Sequence, residues 1–320
     1  PEEIKHLIFG TEKLPLVVRT EKYTKNYYED ISAATSLKEA SNNKVSIVGE
    51  LVGPYSLSPD TCTYEQIYTE AIKKAYESNV KLTNFDRILL FTPITNCIDP
   101  NVAGWGSLGK VRHTLPDSQN LFVGIAGYFP RLPPNSAIYN LFLSFPRGVI
   151  LHELGHNFGL HHANAYICKD PNQNIVPFSN NCKTKEYGNP FSVMGVDTRS
   201  VFLGAERYNL GWLDNKNIVT TTEGTYLLKP SLDYTNSQYY KLPDEAIGLI
   251  KLPITREDNY YAGQDNIFYN IELIDVSSLK EKRVIIYIAK FRGGGSYEII
   301  PSNLINSGKE IMRKKASFTD

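Results

Sequence analysis

The sequence predicts an α+β domain over residues 1–216 followed by a β-rich domain over residues 217–320. Three observations lead there. The first half alternates strand-like and helix-like segments. After Leu213, short Val/Ile/Leu/Tyr runs follow one another with no convincing helix between them. And 320 residues, 42% of them hydrophobic, are enough to bury two cores.

In chain order, Leu14–Thr20 and Lys44–Val52 are rich in Val, Ile and Leu and read as strands. Tyr64, Ile67, Tyr68, Ala71, Ile72 and Ala75 fall at helical spacing behind a Thr63/Gln66 capping box. Arg87–Thr92 is a short apolar run between Asp86 and Pro93, suited to a buried strand. Ala103–Gly109 reads as a loop, and Phe122–Tyr128 as another strand carrying Gly124 and Gly127. A helix is expected from about Arg147 into Asn157, stopping at Gly159, and another from Arg199 to Asn209, closed by Gly211. Beyond a boundary near residues 214–223, strands are expected at Gly224–Lys229, Ile247–Leu252, Ile267–Ile274, Val284–Ala289 and Tyr297–Ile300. Within the third of these, Ile267, Tyr269, Ile271 and Leu273 alternate and share one face. The last dozen residues are polar and are expected to fray.

Lys+Arg and Asp+Glu number 34 each, so the chain carries no electrostatic footprint for nucleic acid or an anionic membrane. No apolar run is long enough to span a bilayer. The chain starts at Pro1 without a basic-then-apolar leader, so any signal or pro-segment is expected to have been removed or to lie outside this sequence. Cys62, Cys97, Cys168 and Cys182 form no C-x-x-C pair. Their even number favours two disulfides, most simply Cys62–Cys97 and Cys168–Cys182, over four buried thiols.

The chemistry is concentrated in His152-Glu153-Leu154-Gly155-His156-Asn157-Phe158-Gly159-Leu160-His161-His162, which holds four of the six histidines. On a helix, residues four apart lie on one face, so His152 and His156 reach one metal ion together. Glu153 sits one step round, where its carboxylate touches a water on the metal without ligating the ion. Gly159 can take positive φ and end the helix, and the returning chain delivers His162. Three histidines leave one position open, as a catalytic zinc site requires. His161 is next to the third ligand, but the Gly-x-x-His spacing selects His162, leaving His161 as a loop residue. Met194, one of only two methionines, lies 32 residues after His162 in Phe191-Ser192-Val193-Met194-Gly195.

On these residues the chain resembles the metzincin zinc metallopeptidases and is most similar to their gametolysin-like group. Met194 then matches the Met-turn that floors the three-histidine site. The subgroup likeness lies in His162-Ala163, Tyr187-Gly188-Asn189 ahead of Ser192-Val193-Met194-Gly195, and Tyr208-Asn209-Leu210-Gly211-Trp212-Leu213. The resemblance implies a twisted, mostly parallel sheet with packed helices, one catalytic Zn2+ and Glu153 as catalytic base. It also implies a secreted or cell-surface endopeptidase, acting as a monomer on protein or glycoprotein substrates bound in extended form. Phe122–Tyr128 is the candidate edge strand for that substrate. The chain departs from some metzincins in having Val196, not tyrosine, two residues after the methionine, so oxyanion stabilisation falls to zinc or another group. Structural calcium is left open, since neither an EF-hand loop nor a glycine-rich nonapeptide repeat occurs. Tyr239, Tyr240, Tyr260 and Tyr261 are candidates for sugar stacking, with packing as the favoured role. The alternatives are a catalytically silent zinc-containing adhesion module and a zinc hydrolase of non-peptide amides or esters.

Overall fold

The computed structural model describes residues 5, 8–9, 32–58, 60–92, 102–129, 144–176, 181–195, 201–221, 223–233, 238–253, 267–292 and 296–301. The expected strand Leu14–Thr20, the polar tail, Cys97, Val196, Tyr260 and Tyr261 lie outside these residues. The chain is mixed α+β, with several sheets and few helices. It parts into two compact units, Pro1–Lys38 with Ser46–Gly159, and Glu39–Val45 with Leu160–Asp320. Among the described residues no helix is long and apolar enough to cross a membrane.

Helix α1 (Ala33–Ala40) begins where the Ser32 hydroxyl accepts the Thr35 N–H at 3.1 Å. Helix α2 (Tyr64–Glu77) opens with the expected capping box: Thr63 Oγ1 accepts the Gln66 N–H, and Gln66 Oε1 accepts the Thr63 N–H. Such a cap contributes about 1 kcal/mol. The first unit is organised around a four-stranded sheet: β1 (Arg87–Phe91), β2 (Gly104–Gly106), β3 (Val111–Thr114) and β4 (Asn120–Tyr128). Strand β4 pairs parallel with β1 on one side, and antiparallel with β2 and β3 on the other. Among the described residues the sheet is therefore not mostly parallel.

The two faces of β4 differ in bulk. Leu121, Val123 and Ile125 point one way and pack with Ile72 and Ala75 of α2, joined by Tyr68 and Trp105. The other face carries Gly124 and Ala126, with Gly104 and Gly106 on β2 beside them. Helix α3 (Ser144–Asn157) lies against this small-residue face. A Cβ on Gly124 would sit 2.9 Å from the Asn157 side chain, so the absence of side chains sets how closely α3 approaches.

Three sequence expectations change in this unit. Phe122–Tyr128 is an interior strand with neighbours on both sides, so it cannot serve as an edge strand for a substrate. Part of the Ala103–Gly109 loop is strand β2; its Gly-Trp-Gly composition hides β structure because two of three positions face a helix that admits no side chain. Lys44–Val52 forms no strand, and Val48, Leu51 and Val52 are exposed: β propensity without a neighbour to pair with does not make a ladder.

The second unit holds an eight-stranded sheet built from β5 (Leu160–Ala163), β9 (Ile218–Thr220), β10 (Leu232–Asp233), β11 (Gln238–Tyr239), β12 (Leu249–Pro253), β13 (Ile267–Val276), β14 (Glu281–Arg292) and β15 (Ser296–Pro301). The order is β11-β10-β13-β14-β15-β5, with β12 joining β13 to β9. A three-stranded sheet, β7-β6-β8, comprises β6 (Ala165–Lys169), β7 (Ile175–Val176) and β8 (Cys182–Lys185). Because β5 pairs with β15, the chain joins the β-rich unit from Leu160 onward, well ahead of the expected boundary at 216/217. Residues 39–45 join it through Asn42 and Lys44, both bound to Asp214, and through the Ala40 carbonyl, which accepts from Arg207 Nε.

Helix α4 (Gly204–Asn209) is shorter than the expected Arg199–Asn209, since Val201 is held in a bridge to Ser192. Gly211 ends it at φ +69°. Gly224–Lys229 is not a strand but a single bridge, Leu228 to Ile247. In β13, Tyr269, Ile271 and Leu273 do share a face, but the fully buried residues are Asn270, Glu272 and Ile274 on the other. The hydrophobic alternation marks the less buried side because the deeper side carries a polar network.

Candidate metal centre

Helix α3 carries His152, Glu153 and His156. His152 and Glu153 are buried and His156 is half-buried, with the two imidazole centroids 4.8 Å apart. The helix ends where Gly159, at φ +95°, donates its N–H to the His156 carbonyl at 2.8 Å. The same carbonyl accepts from Gly109 N–H at 2.8 Å. Asn157 adds a side-chain anchor: its Nδ2 donates to the Ser107 carbonyl at 2.9 Å and to the Ile125 carbonyl at 3.0 Å. Both acceptors belong to the β2–β4 region, so the last turn of the helix is tied to the sheet.

Glu153 lies against the glycine edge. A Cβ at Gly104 would stand 2.6 Å from Glu153 Oε1, and one at Gly106 2.7 Å from the Glu153 carbonyl oxygen. Burial pushes the Glu153 carboxyl up to about 8, since the surrounding protein solvates the charged form poorly.

His161 and His162 both sit on β5, not in a loop. The pairing of β5 with β15 shifts register between Leu160 and Ala163, and from this irregular stretch it is His162 that gathers with His152 and His156. Ring nitrogens of His152, His156 and His162 all lie within 4.8 Å of one another. Tetrahedral zinc with bonds of about 2.0–2.1 Å would hold ligand nitrogens about 3.3 Å apart, so ring movements of about an ångström close the set. Three neutral imidazoles suit zinc and other borderline transition metals better than calcium or magnesium.

His162 is positioned by its neighbours in the second unit. Ala163 N–H donates to the Met194 carbonyl at 2.7 Å, and the Ala163 carbonyl accepts from Asn189 N–H at 3.0 Å. Met194 is fully buried in a tight turn, closed by Gly195 N–H on the Ser192 carbonyl at 2.9 Å. Gly195 is obligatory there: a Cβ would meet the Asn189 carbonyl oxygen at 1.9 Å. Ser192 Oγ accepts the Met194 N–H and donates to Glu206 Oε1 at 2.5 Å. Glu206 also accepts from Leu203 N–H, while Glu272 of β13 accepts from Gly204 N–H and from the Tyr287 hydroxyl. The β-rich sheet thus supports the turn through buried carboxyls. Tyr239 belongs to the same packing, its hydroxyl accepting from Phe202 N–H and its ring lying under Arg207.

Sequence reasoning missed Gly104, Gly106, Ser107, Asn157, Asn189, Ser192 and Glu206 as supports of the site. The signal for the first three was present, since Gly-Trp-Gly-Ser is unusual for a free loop. The others are ordinary polar residues until their long-range partners are known. Cys62 is disulfide-bonded. The backbones of Cys168 and Cys182 stand directly opposite each other on β6 and β8. Comparison with protein-family models, with curated proteins and with solved structures finds no match.

Proposed function

We propose that this chain is a zinc-dependent endopeptidase of the metzincin kind, secreted or displayed outside the cell. The reading rests on one observation: three imidazoles converge within 4.8 Å, and the residue after the first is a buried carboxyl. His152, His156 and His162 would hold the ion. Zinc bound there supplies Lewis-acid polarisation of a carbonyl and acidifies a water to a pKa of about 7.

The chain's own part in the chemistry falls to Glu153. Its oxygens border the glycine edge of β2, and it is a buried acid–base group adjoining the first histidine. It takes the proton from the attacking water and delivers one to the departing amine. Among the described residues, β2 has no neighbour on its outer side. An extended peptide can add there as a further strand, so β2 replaces Phe122–Tyr128 as the substrate edge.

The test is digestion of an unfolded protein and a mixed peptide library by wild type, by wild type with a zinc chelator, and by Glu153→Ala. Cleavage confined to the untreated wild type is expected. Absence of cleavage by zinc-loaded, folded protein would turn the reading toward a silent binding module.

A further inference from the structure

We infer that Glu186 and Tyr187 form a clamp that fixes the ring of His162 and raises the metal affinity of the centre; this rests on the zinc reading above. Glu186 Oε1 lies 2.7 Å from His162 Nδ1. With the carboxylate accepting the Nδ1 proton, the tautomer is set and Nε2 is the nitrogen left to meet the ion. A carboxylate on the outer nitrogen also makes the imidazole a stronger donor. The Tyr187 ring packs on the imidazole, its centroid 3.8 Å from that of His162 and tilted by 34°, limiting rotation of the imidazole.

The backbone shows that this contact is built in. Ala165 pairs with Lys185 across β6 and β8, so the residues after Lys185 run back alongside those before Ala165. Tyr187 takes φ +56°, which costs a bulky residue energy, and its N–H is held by Asn164 Oδ1 at 3.1 Å. Gly188 then packs where a Cβ would stand 2.5 Å from the Ala165 Cβ. Glu186 itself is largely exposed, and folding alone gives no reason for its position.

The experiment measures zinc affinity of the full chain by competition with a chromophoric chelator, for wild type, Glu186→Gln, Glu186→Ala, Tyr187→Ala and His156→Ala. Melting of each metal-free protein is followed alongside. Wild type is expected to bind one zinc and His156→Ala to lose it. Glu186→Ala should bind 10- to 100-fold more weakly, about what loss of such an outer partner costs, with metal-free melting unchanged. Glu186→Gln, which still accepts from Nδ1, should fall between. Equal affinities for wild type and Glu186→Ala, with His156 still required, overturn the clamp and leave the zinc reading standing. No zinc binding by wild type overturns both.

Discussion

The two supports of the candidate centre are built on different principles. His152 and His156 need only a helix: four residues of regular backbone align them, and Asn157 and the glycine face of the sheet fix where that helix lies. His162 stands on a four-residue strand, and its position depends on residues 24 to 44 places further along the chain, Glu186, Asn189, Met194 and Glu206 among them. Local periodicity therefore determines the first support, and long-range hydrogen bonding the second. Substitutions should separate the two.

The largest effect is expected at the helix side without any loss of metal. Gly104→Ala places a methyl 2.6 Å from Glu153 Oε1 and forces the carboxylate to move. Misplacing a reacting group by about 1 Å costs on the order of 100-fold in rate. Peptidase kcat/KM should fall by about that factor while zinc affinity stays within about twofold. A parallel loss of zinc would show instead that β2 positions the ligands and not the base.

Gly195→Ala probes the other support. The added methyl meets the Asn189 carbonyl, and the turn must open. Overpacking of this kind costs about 1–3 kcal/mol. Denaturant unfolding should record that loss, and zinc affinity should fall with it, because Ala163 is hydrogen-bonded to both Met194 and Asn189. Asn157→Ala should cost a similar amount, since the buried Ser107 and Ile125 carbonyls each lose a donor. If only one of the two substitutions weakened zinc binding, that support would be the one that sets the geometry.

How much of this was legible follows the same division. The ligand spacing, the stop at Gly159 and the cap at Thr63 are local and were readable, as were the long strands β13 and β14. The edge strand was misassigned because Gly104 and Gly106 record the closeness of a helix, which no propensity scale encodes. The loop placement of His161 failed because β5 is completed by β15, more than 130 residues away. The division of the chain into units shifted for the same reason.

A smaller effect should appear in the pH dependence of stability. Glu206 and Glu272 are fully buried, and burial raises both carboxyls, Glu206 to about 8, with Glu272 beside it adding to that rise. The folded chain then holds protons that the unfolded chain releases above the ordinary carboxyl value of 4.5. This contribution is complete below about pH 4.5 and is lost as pH rises toward 8. The urea midpoint of the metal-free protein should therefore decline between pH 5 and pH 8, and Glu206→Gln should flatten the decline. A slope equal in the two proteins would mean that Glu206 stays ionised throughout, held by Ser192 and Leu203.

The smallest expected change is at His161, and it tests which histidine of β5 completes the centre. On β5, His161 and His162 lie where the pairing with β15 shifts register between Leu160 and Ala163. Only His162 joins His152 and His156 within 4.8 Å. His161→Ala should keep one zinc per chain with affinity within about twofold of wild type, whereas His162→Ala should lose tight binding. If the two substitutions were equally damaging, both histidines of β5 would serve the metal, and the folded position of His162 would not alone choose the third ligand.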